Sequence, residues 1–450
     1  MTKNTSMSLI DMSESEIEEF IAKHLPVKMA EKKKYGEVFT PSALIKKILD
    51  FFPHSVWSNP DLKWMDPSCG TGNFMILVYQ RLMLGLNKKI LVESERSKHI
   101  IKNMLYMVEL NSKNVTICKQ IFGPDANIVC SDFLADKHFF PDCNTFDCIV
   151  GNPPFQDDVN VKGTGGKSKL YERIFLKAYG LLKDTGYLSF VVPDNMLSGN
   201  GNVAYKTLIK NDVQFVSFNA EIQSFFPGIQ QYICYFFMQK KEAITKGMNT
   251  VIEDTDGHKF TTQLLDRAVN PVRNWTPYVE KLLNKYVTNV KNVVVYNRGK
   301  ALSLYNGTKY SVIYTSSKKL RTNKLELAPG LNVKKAVIFG ISANLDFEMD
   351  YTGKYGVGPN TFYIPFTTQS QGRNLEAFLK SDYYKTLALA CKTSRQFLKI
   401  GFVEHLNLAK IFGTSVKTMN KNKTKSSTKV YKKRPTNNKT RRKKDNVDNI

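Results

Sequence analysis

The sequence predicts an α/β protein: a mostly parallel sheet with helices on both faces, followed by a second region of mixed structure. Three observations predict it. Between residues 62 and 240, near-continuous apolar runs alternate with segments of helical period, the pattern of strands buried on both faces. Glycine and proline clusters punctuate the ends of those runs, as in DPSCGTGNF and NPPF. After residue 250 the alternation weakens, and after 413 apolar residues almost vanish.

Taken in order, residues 1–32 form a leader in which Ser13 or Ser15 caps a helix through EIEEFIAKHL. Residues 33–249 carry the sheet. Its seven strand candidates are KWMDPS (63–68), MLYMVEL (104–110), NIVCSDF (127–133), FDCIVGN (146–152), YLSFVVP (187–193), VQFVSFN (213–219) and QYICYFFM (231–238). FMILVYQRLML and YERIFLKAYGLLK are helical patterns between them. The last two strands, joined by a short link containing FFPG, suit an antiparallel pair at one edge. Residues 250–412 read as a second domain with short strands such as NVVVYN and KAVIFGIS and a helical region from 372 to 411. Residues 413–450 read as a disordered basic tail.

Charge narrows the partner. The 450 residues hold 65 Lys and Arg against 40 Asp and Glu, a net charge of +25. Residues 417–450 account for 13 − 2 = +11 of it, which leaves +14 on the rest. An excess of this size favours a polyanion, most simply nucleic acid. The seven cysteines form no CxxC pair and several lie in apolar runs, so they read as reduced core thiols of an intracellular protein. The six histidines show no metal-ligand spacing and no metal is expected. The N-terminus lacks a signal pattern, and apolar runs such as YICYFFM fall well short of the roughly 20 residues of a membrane span.

The chemistry concentrates at strand ends. DPSCGTGNF (66–74) is a strand, a tight turn and a helix start, with Gly70 and Gly72 letting the backbone approach a ligand. It departs from the dinucleotide fingerprint GxGxxG, and Asp66 suits an ammonium or hydroxyl better than a pyrophosphate. Glu109 ends the second strand, where an acid typically binds ribose hydroxyls. Asp132 and Phe133 end the third, an acid and a ring suited to adenine. Together they imply a ligand that contains adenosine and carries a positive charge. In FDCIVGNPPF (146–155) the prolines have no N–H for a neighbouring strand, so the ladder stops and bare carbonyls remain. Asn152, a free carbonyl and Phe155, expected at an exposed exit, suit a flat group bearing an amino nitrogen.

The order YGEVFTP (35–41), DPSCGTGNF, VEL, SDF, NPPF resembles the S-adenosylmethionine-dependent DNA methyltransferases that modify the exocyclic N6 amino group of adenine. The cofactor motif precedes the catalytic motif and a large variable region follows, the gamma-like order of restriction–modification-type modification methylases. The match covers roughly residues 33 to 240. The resemblance implies a Rossmann-like seven-stranded methyltransferase sheet, with a C-terminal target-recognition domain in residues 250–412. It implies S-adenosylmethionine held by Phe39, Thr40 and Pro41, by Asp66, Pro67, Gly70, Gly72, Asn73 and Phe74, and by Glu109, Asp132 and Phe133. It places the base at Asn152, Pro153, Pro154 and Phe155, with Asn152 and the Pro153 carbonyl accepting from the adenine amino group and Phe155 stacking on a flipped-out ring. Thirty-six positions separate Gly72 from Glu109, and an extra helix around SERSKHIIKNM is expected to fill them.

The partner this implies is double-stranded DNA, with RNA adenine or protein glutamine as alternative substrates and a non-catalytic nucleic-acid-binding subunit as the alternative to an enzyme. Protein-glutamine enzymes with this chemistry are short and lack a long basic second domain. A decayed subunit predicts damage in the glycine turn or in NPPF, and both are intact. GTGGKS is no triphosphate loop, because Val161 stands where GxxxxGK[ST] needs glycine. With no PD…(D/E)xK constellation, a restriction endonuclease would be a separate chain. In region 250–412, TSRQFLKIGF, NPVRNWTPY and QSQGR carry residue types that read base edges and phosphates.

Overall fold

The computed structural model of the chain describes residues 9–24, 40–135, 138–155, 169–199, 202–226, 229, 231–242, 249–292, 295–297, 302–315, 318–340, 344–392, 398 and 400–413. All seven expected strands form: β1 (Trp64–Asp66), β2 (Leu105–Glu109), β3 (Asn127–Cys130), β4 (Phe146–Gly151), β5 (Leu182–Pro193), β6 (Asn211–Ser217) and β7 (Ile233–Glu242). They lie in the order 3-2-1-4-5-7-6. β1 to β5 run parallel, and β7 runs antiparallel between β5 and β6.

Alternation within each strand explains the two helical layers. Along β2, Leu105 and Met107 join one core cluster while Tyr106 and Val108 join the other. The first cluster takes the helices Ser42–Leu49, Asn73–Gly85 and Ser112–Phe122, and the second takes Leu170–Leu181 and Val203–Leu208. Helix Asn73–Gly85 buries Phe74, Met75, Ile76, Leu77, Val78, Tyr79 and Leu82, each contributing about 1.5–3 kcal/mol where the side chain is large and fully enclosed. The gap before Glu109 holds the expected extra helix, Glu93–His99, continued by a π-type turn Ile100–Met104.

Two expectations about boundaries change. The sheet does not stop at residue 249: β8 (Thr250–Glu253) pairs parallel with β6, and β9 (Lys259–Thr262) pairs antiparallel with β8. The β6–β7 pair is therefore antiparallel but internal, because β8 reaches back to pair with β6. The leader helix Glu14–His24 is capped by Ser13, whose N–H bonds Glu16 in return. It is no separate unit, since Ile10 and Ile17 sink into the first core cluster and Tyr79 donates to Asp11 at 2.6 Å.

The second region holds an antiparallel four-stranded sheet of β10 (Val295–Asn297), β13 (Lys335–Phe339), β14 (Phe347–Asp350) and β16 (Thr361–Pro365). It also holds a three-stranded sheet of β11 (Tyr310–Ile313), β12 (Lys319–Thr322) and β15 (Gly356–Val357). Helices Pro277–Tyr286, Gln369–Lys380, Asp382–Ala390 and Leu408–Phe412 share a core with the larger sheet. Two stretches singled out for nucleic acid also contribute to the fold. Trp275 of NPVRNWTPY is buried, and Gln371 of QSQGR closes a capping box with Thr368. Residues 393–397 of TSRQFLKIGF lie outside the described residues. Six of the cysteines are buried thiols, whereas Cys130 is exposed at the end of an edge strand. Among the described residues no helix is long and apolar enough to cross a membrane.

Candidate active site

The chain leaves β1 for β2 and β3 on one side, then crosses back to β4 on the other side of β1. This makes the carboxyl ends of β1 and β4 the topological switch point, where parallel sheets open a crevice. Asp66 ends β1 and Asn152 follows β4, so the fold brings the two motifs together across 86 positions. Gly151 packs against the Asp66 carboxyl so closely that a Cβ there would lie 2.7 Å from Oδ1.

The glycine turn is built for close approach. Gly70 and Gly72 have φ of +57° and +88°, values that suit glycine. A Cβ on Gly72 would strike Phe122 Cε2 at 2.8 Å, whereas nothing lies within 4 Å of the Cβ position of Gly70. The space above Gly70 is open, and Asp66, Ser68 and Glu109 stand around that turn. Glu109 holds the turn in place: Oε2 accepts from the Gly70 N–H at 2.8 Å and Oε1 from the Asn111 N–H at 2.7 Å. A carboxylate at this strand end is also the group that suits a ligand hydroxyl. Asp66 is 1% exposed. Burial pushes its carboxyl up to about 8, the Ser68 N–H at 3.0 Å works against the rise, and the Glu109 charge adds to it. Ser68 Oγ is buried with no hydrogen-bond partner among the described residues. It was not singled out from the sequence, where a serine beside a glycine turn is ordinary.

Thr40 ties the site together. Its hydroxyl accepts from Asn152 Nδ2 at 3.1 Å, and its carbonyl accepts from Asn73 Nδ2 at 3.4 Å. Asn73 in turn accepts from the Thr71 hydroxyl at 2.8 Å. Thr40 is 4% exposed, so these bonds are shielded from water. Pro41 precedes helix Ser42–Leu49, and Pro67 and Phe74 are buried beneath the turn. Phe39 lies outside the described residues, as do residues 156–168 after NPPF.

One of the two site aromatics sits differently from expectation. Phe155 is half-buried rather than exposed, because its ring packs edge-on against Tyr171 with centroids 6.4 Å apart. Phe133 turns into the core and stacks on Phe139, leaving Asp132 alone exposed at the end of the third strand. Pro153 is buried and Pro154 half-buried. Away from the edge, Asp254, Asp256 and His258 gather at the β8–β9 turn, where Asp254 Oδ1 accepts the Asp256 and His258 N–H groups at 2.9 Å each.

The donor set fits a cationic adenosine-containing cofactor: a buried carboxyl, a second carboxyl at the next strand end, the Ser68 hydroxyl without a partner among the described residues and an open glycine turn. The family model for N-6 DNA Methylase matches residues 15–256, more than half of the chain. The chain belongs to the N-6 DNA methylase family. This methylase is similar to an uncharacterized adenine-specific methylase of Mycoplasma pneumoniae, 25% identical over 57% of this chain and 82% of that one. It is also similar to modification methylase CviBIII of Paramecium bursaria Chlorella virus NC1A, 29% identical over 37% of this chain. It spans only 39% of that viral relative. Among solved structures, the Type IIL restriction-modification enzyme MmeI in complex with DNA aligns with a TM-score of 0.49 and 13% identity, over 89% of this chain and 68% of that chain. The methylase is thus an S-adenosylmethionine-dependent enzyme whose substrate is DNA and whose target atom is adenine N6.

Proposed function

We propose that this methylase acts on an adenine flipped out of double-stranded DNA, with Asn152 Oδ1 and the Pro153 carbonyl as the two acceptors for its amino hydrogens. The observation that carries the reading is the Thr40–Asn152 bond. With Nδ2 directed at Thr40, Oδ1 is the end of the amide that can accept from an amino group. The amino lone pair of adenine is delocalised into the ring and is a poor nucleophile. Two acceptors aimed at its hydrogens draw the nitrogen toward a tetrahedral shape and stabilise the positive charge that develops. Phe155 offers the ring for stacking. Bound S-adenosylmethionine supplies an electrophilic methyl group. Asp66, Glu109, Asp132, Ser68, Asn73 and the Gly70–Gly72 turn hold the cofactor, with Thr40 and Pro41 at the entry to the site. No strong base is needed, because the methylated ammonium is itself very acidic. A base inside a duplex cannot reach this crevice, so flipping is required.

Region 250–412 selects the target site in this reading, supported by its position after the family domain and by the +14 carried outside the tail. The name of the viral relative supports a role in modification, which pairs such an enzyme with a separate restriction endonuclease.

The test is methyl transfer from labelled S-adenosylmethionine to unmethylated duplex DNA, followed by nucleoside mass analysis. The wild-type chain is expected to form N6-methyladenine and Asn152→Ala to form none. Label on RNA or protein with none on DNA would sink the substrate reading while leaving the fold intact.

A further inference from the structure

The second region carries a basic hairpin, most of whose cations have no acidic partner among the described residues. β11 and β12 pair antiparallel, Tyr310 opposite Thr322 and Ile313 opposite Lys319. β12 is the outer strand of its sheet. The ribbon is anchored from within: Ile313 packs with Val337, Phe339 and Tyr363, and Val312 packs with Tyr305 and Leu327. Its polar side is exposed and basic. Residues 301–325 hold five Lys or Arg and no Asp or Glu, and all five (Lys309, Lys318, Lys319, Arg321 and Lys324) are exposed. Lys319 pairs with Glu348 at 3.1 Å. The other four have no acidic partner among the described residues.

Lysines on an outer strand also block edge-to-edge pairing. That role accounts for Lys319 and Arg321 in β12. It does not account for Lys309, Lys318 and Lys324, which flank the strands and shield no ladder.

We propose that this hairpin is a contact surface for the phosphate backbone of duplex DNA. The proposal rests on reading the chain as a DNA methylase and goes further by naming the element that meets the duplex. A two-stranded ribbon is a shape that the major groove admits. Exposed cations without acidic partners, on a ribbon anchored in the core, fix register through phosphate contacts rather than through bases. This places the contact on a hairpin none of whose residues belongs to the polar stretches that composition points to.

The test uses the full chain with Lys318→Gln, Arg321→Gln and Lys324→Gln combined. Binding to a duplex oligonucleotide is followed by fluorescence anisotropy from about 50 to about 200 mM salt. Loss of three phosphate contacts is expected to weaken binding about a hundredfold near 0.15 M salt and to flatten the logarithmic salt slope by about 3. The loss is expected to be equal on all sequences, as phosphate contacts require. Cofactor affinity is expected to stay unchanged. Lys88→Gln with Lys89→Gln, two exposed lysines beyond the far end of helix Asn73–Gly85, is expected to bind as wild type. A triple variant with wild-type affinity and slope would overturn the proposal while the methylase reading stands. A wild-type chain that neither binds nor methylates duplex DNA would remove that reading and the proposal with it.

Discussion

In the proposed reading, the chemistry at Asn152 depends on which end of an amide faces the base. An oxygen accepts from the adenine amino group, whereas an NH2 would repel it. In this structure the Nδ2 end faces Thr40, whose hydroxyl accepts from it. Thr40→Val keeps the shape and removes the acceptor, leaving a shielded N–H unpaired at a cost of about 1–3 kcal/mol. The expected result is a kcat about ten- to a hundredfold lower with KM for DNA little changed, restored by Thr40→Ser. A fall in both variants alike would point to packing alone. Asp66 gives the site a pH dependence. Its carboxyl is raised from 3.8 to about 8, so between these values the folded apo protein holds a proton that the unfolded chain has released. Stability therefore falls as pH rises from about 4 to about 8. A cationic ligand needs the anion, so its binding releases the proton and strengthens up to about pH 8. Cofactor titration across that range is expected to show the trend in wild type and none in Asp66→Asn.

At the scale of elements, position follows from strand order. β1 and β4 are neighbours because the chain reverses its winding between β3 and β4, and the crevice this opens receives Asp66 from one strand and Asn152 from the other. The second region is held differently, by a buried ion pair. Lys335 Nζ lies 2.7 Å from Asp350 Oδ2 with both side chains enclosed. Burial pushes the Asp350 carboxyl up, but the Lys335 ammonium and the Tyr355 N–H outweigh it and leave it below its ordinary value. Its Oδ1 also accepts the Gly353 N–H at 2.8 Å. Removing one member of such a pair strands the other in the core. Asp350→Ala is expected to destabilise this region by about 3–5 kcal/mol, read as an earlier urea transition. Because Asp350 is held low, the stability it contributes is present above about pH 4 and lost as acid protonates the folded carboxyl.

For the whole molecule, charge divides the work. The basic tail lies outside the described residues, yet its +11 attracts phosphate whatever its shape. Deleting residues 417–450 is expected to weaken DNA binding at low salt, equally for every sequence, and to leave kcat at saturating DNA unchanged. A lower kcat in the truncated chain would give the tail a part in the site. The seven strands of the methyltransferase sheet, the glycine turn, the extra helix before Glu109 and the NPPF edge were legible in the sequence. Each is a local pattern: an apolar run, a glycine pair, a proline pair. β8 was not legible, since four residues after a polar stretch carry little periodicity and only pairing with β6 makes them a strand. Phe155 was placed too far toward solvent, because a ring at a strand end reads the same whether it faces water or Tyr171. Sequence by itself determined the class of chemistry, because acceptors and glycines act through their identity. Tertiary structure alone decided that Thr40 orients Asn152 across 112 positions, that Asp66 keeps a proton near neutral pH, and that the basic hairpin stands exposed. Distance, burial and pairing arise only once segments far apart in the chain are packed together.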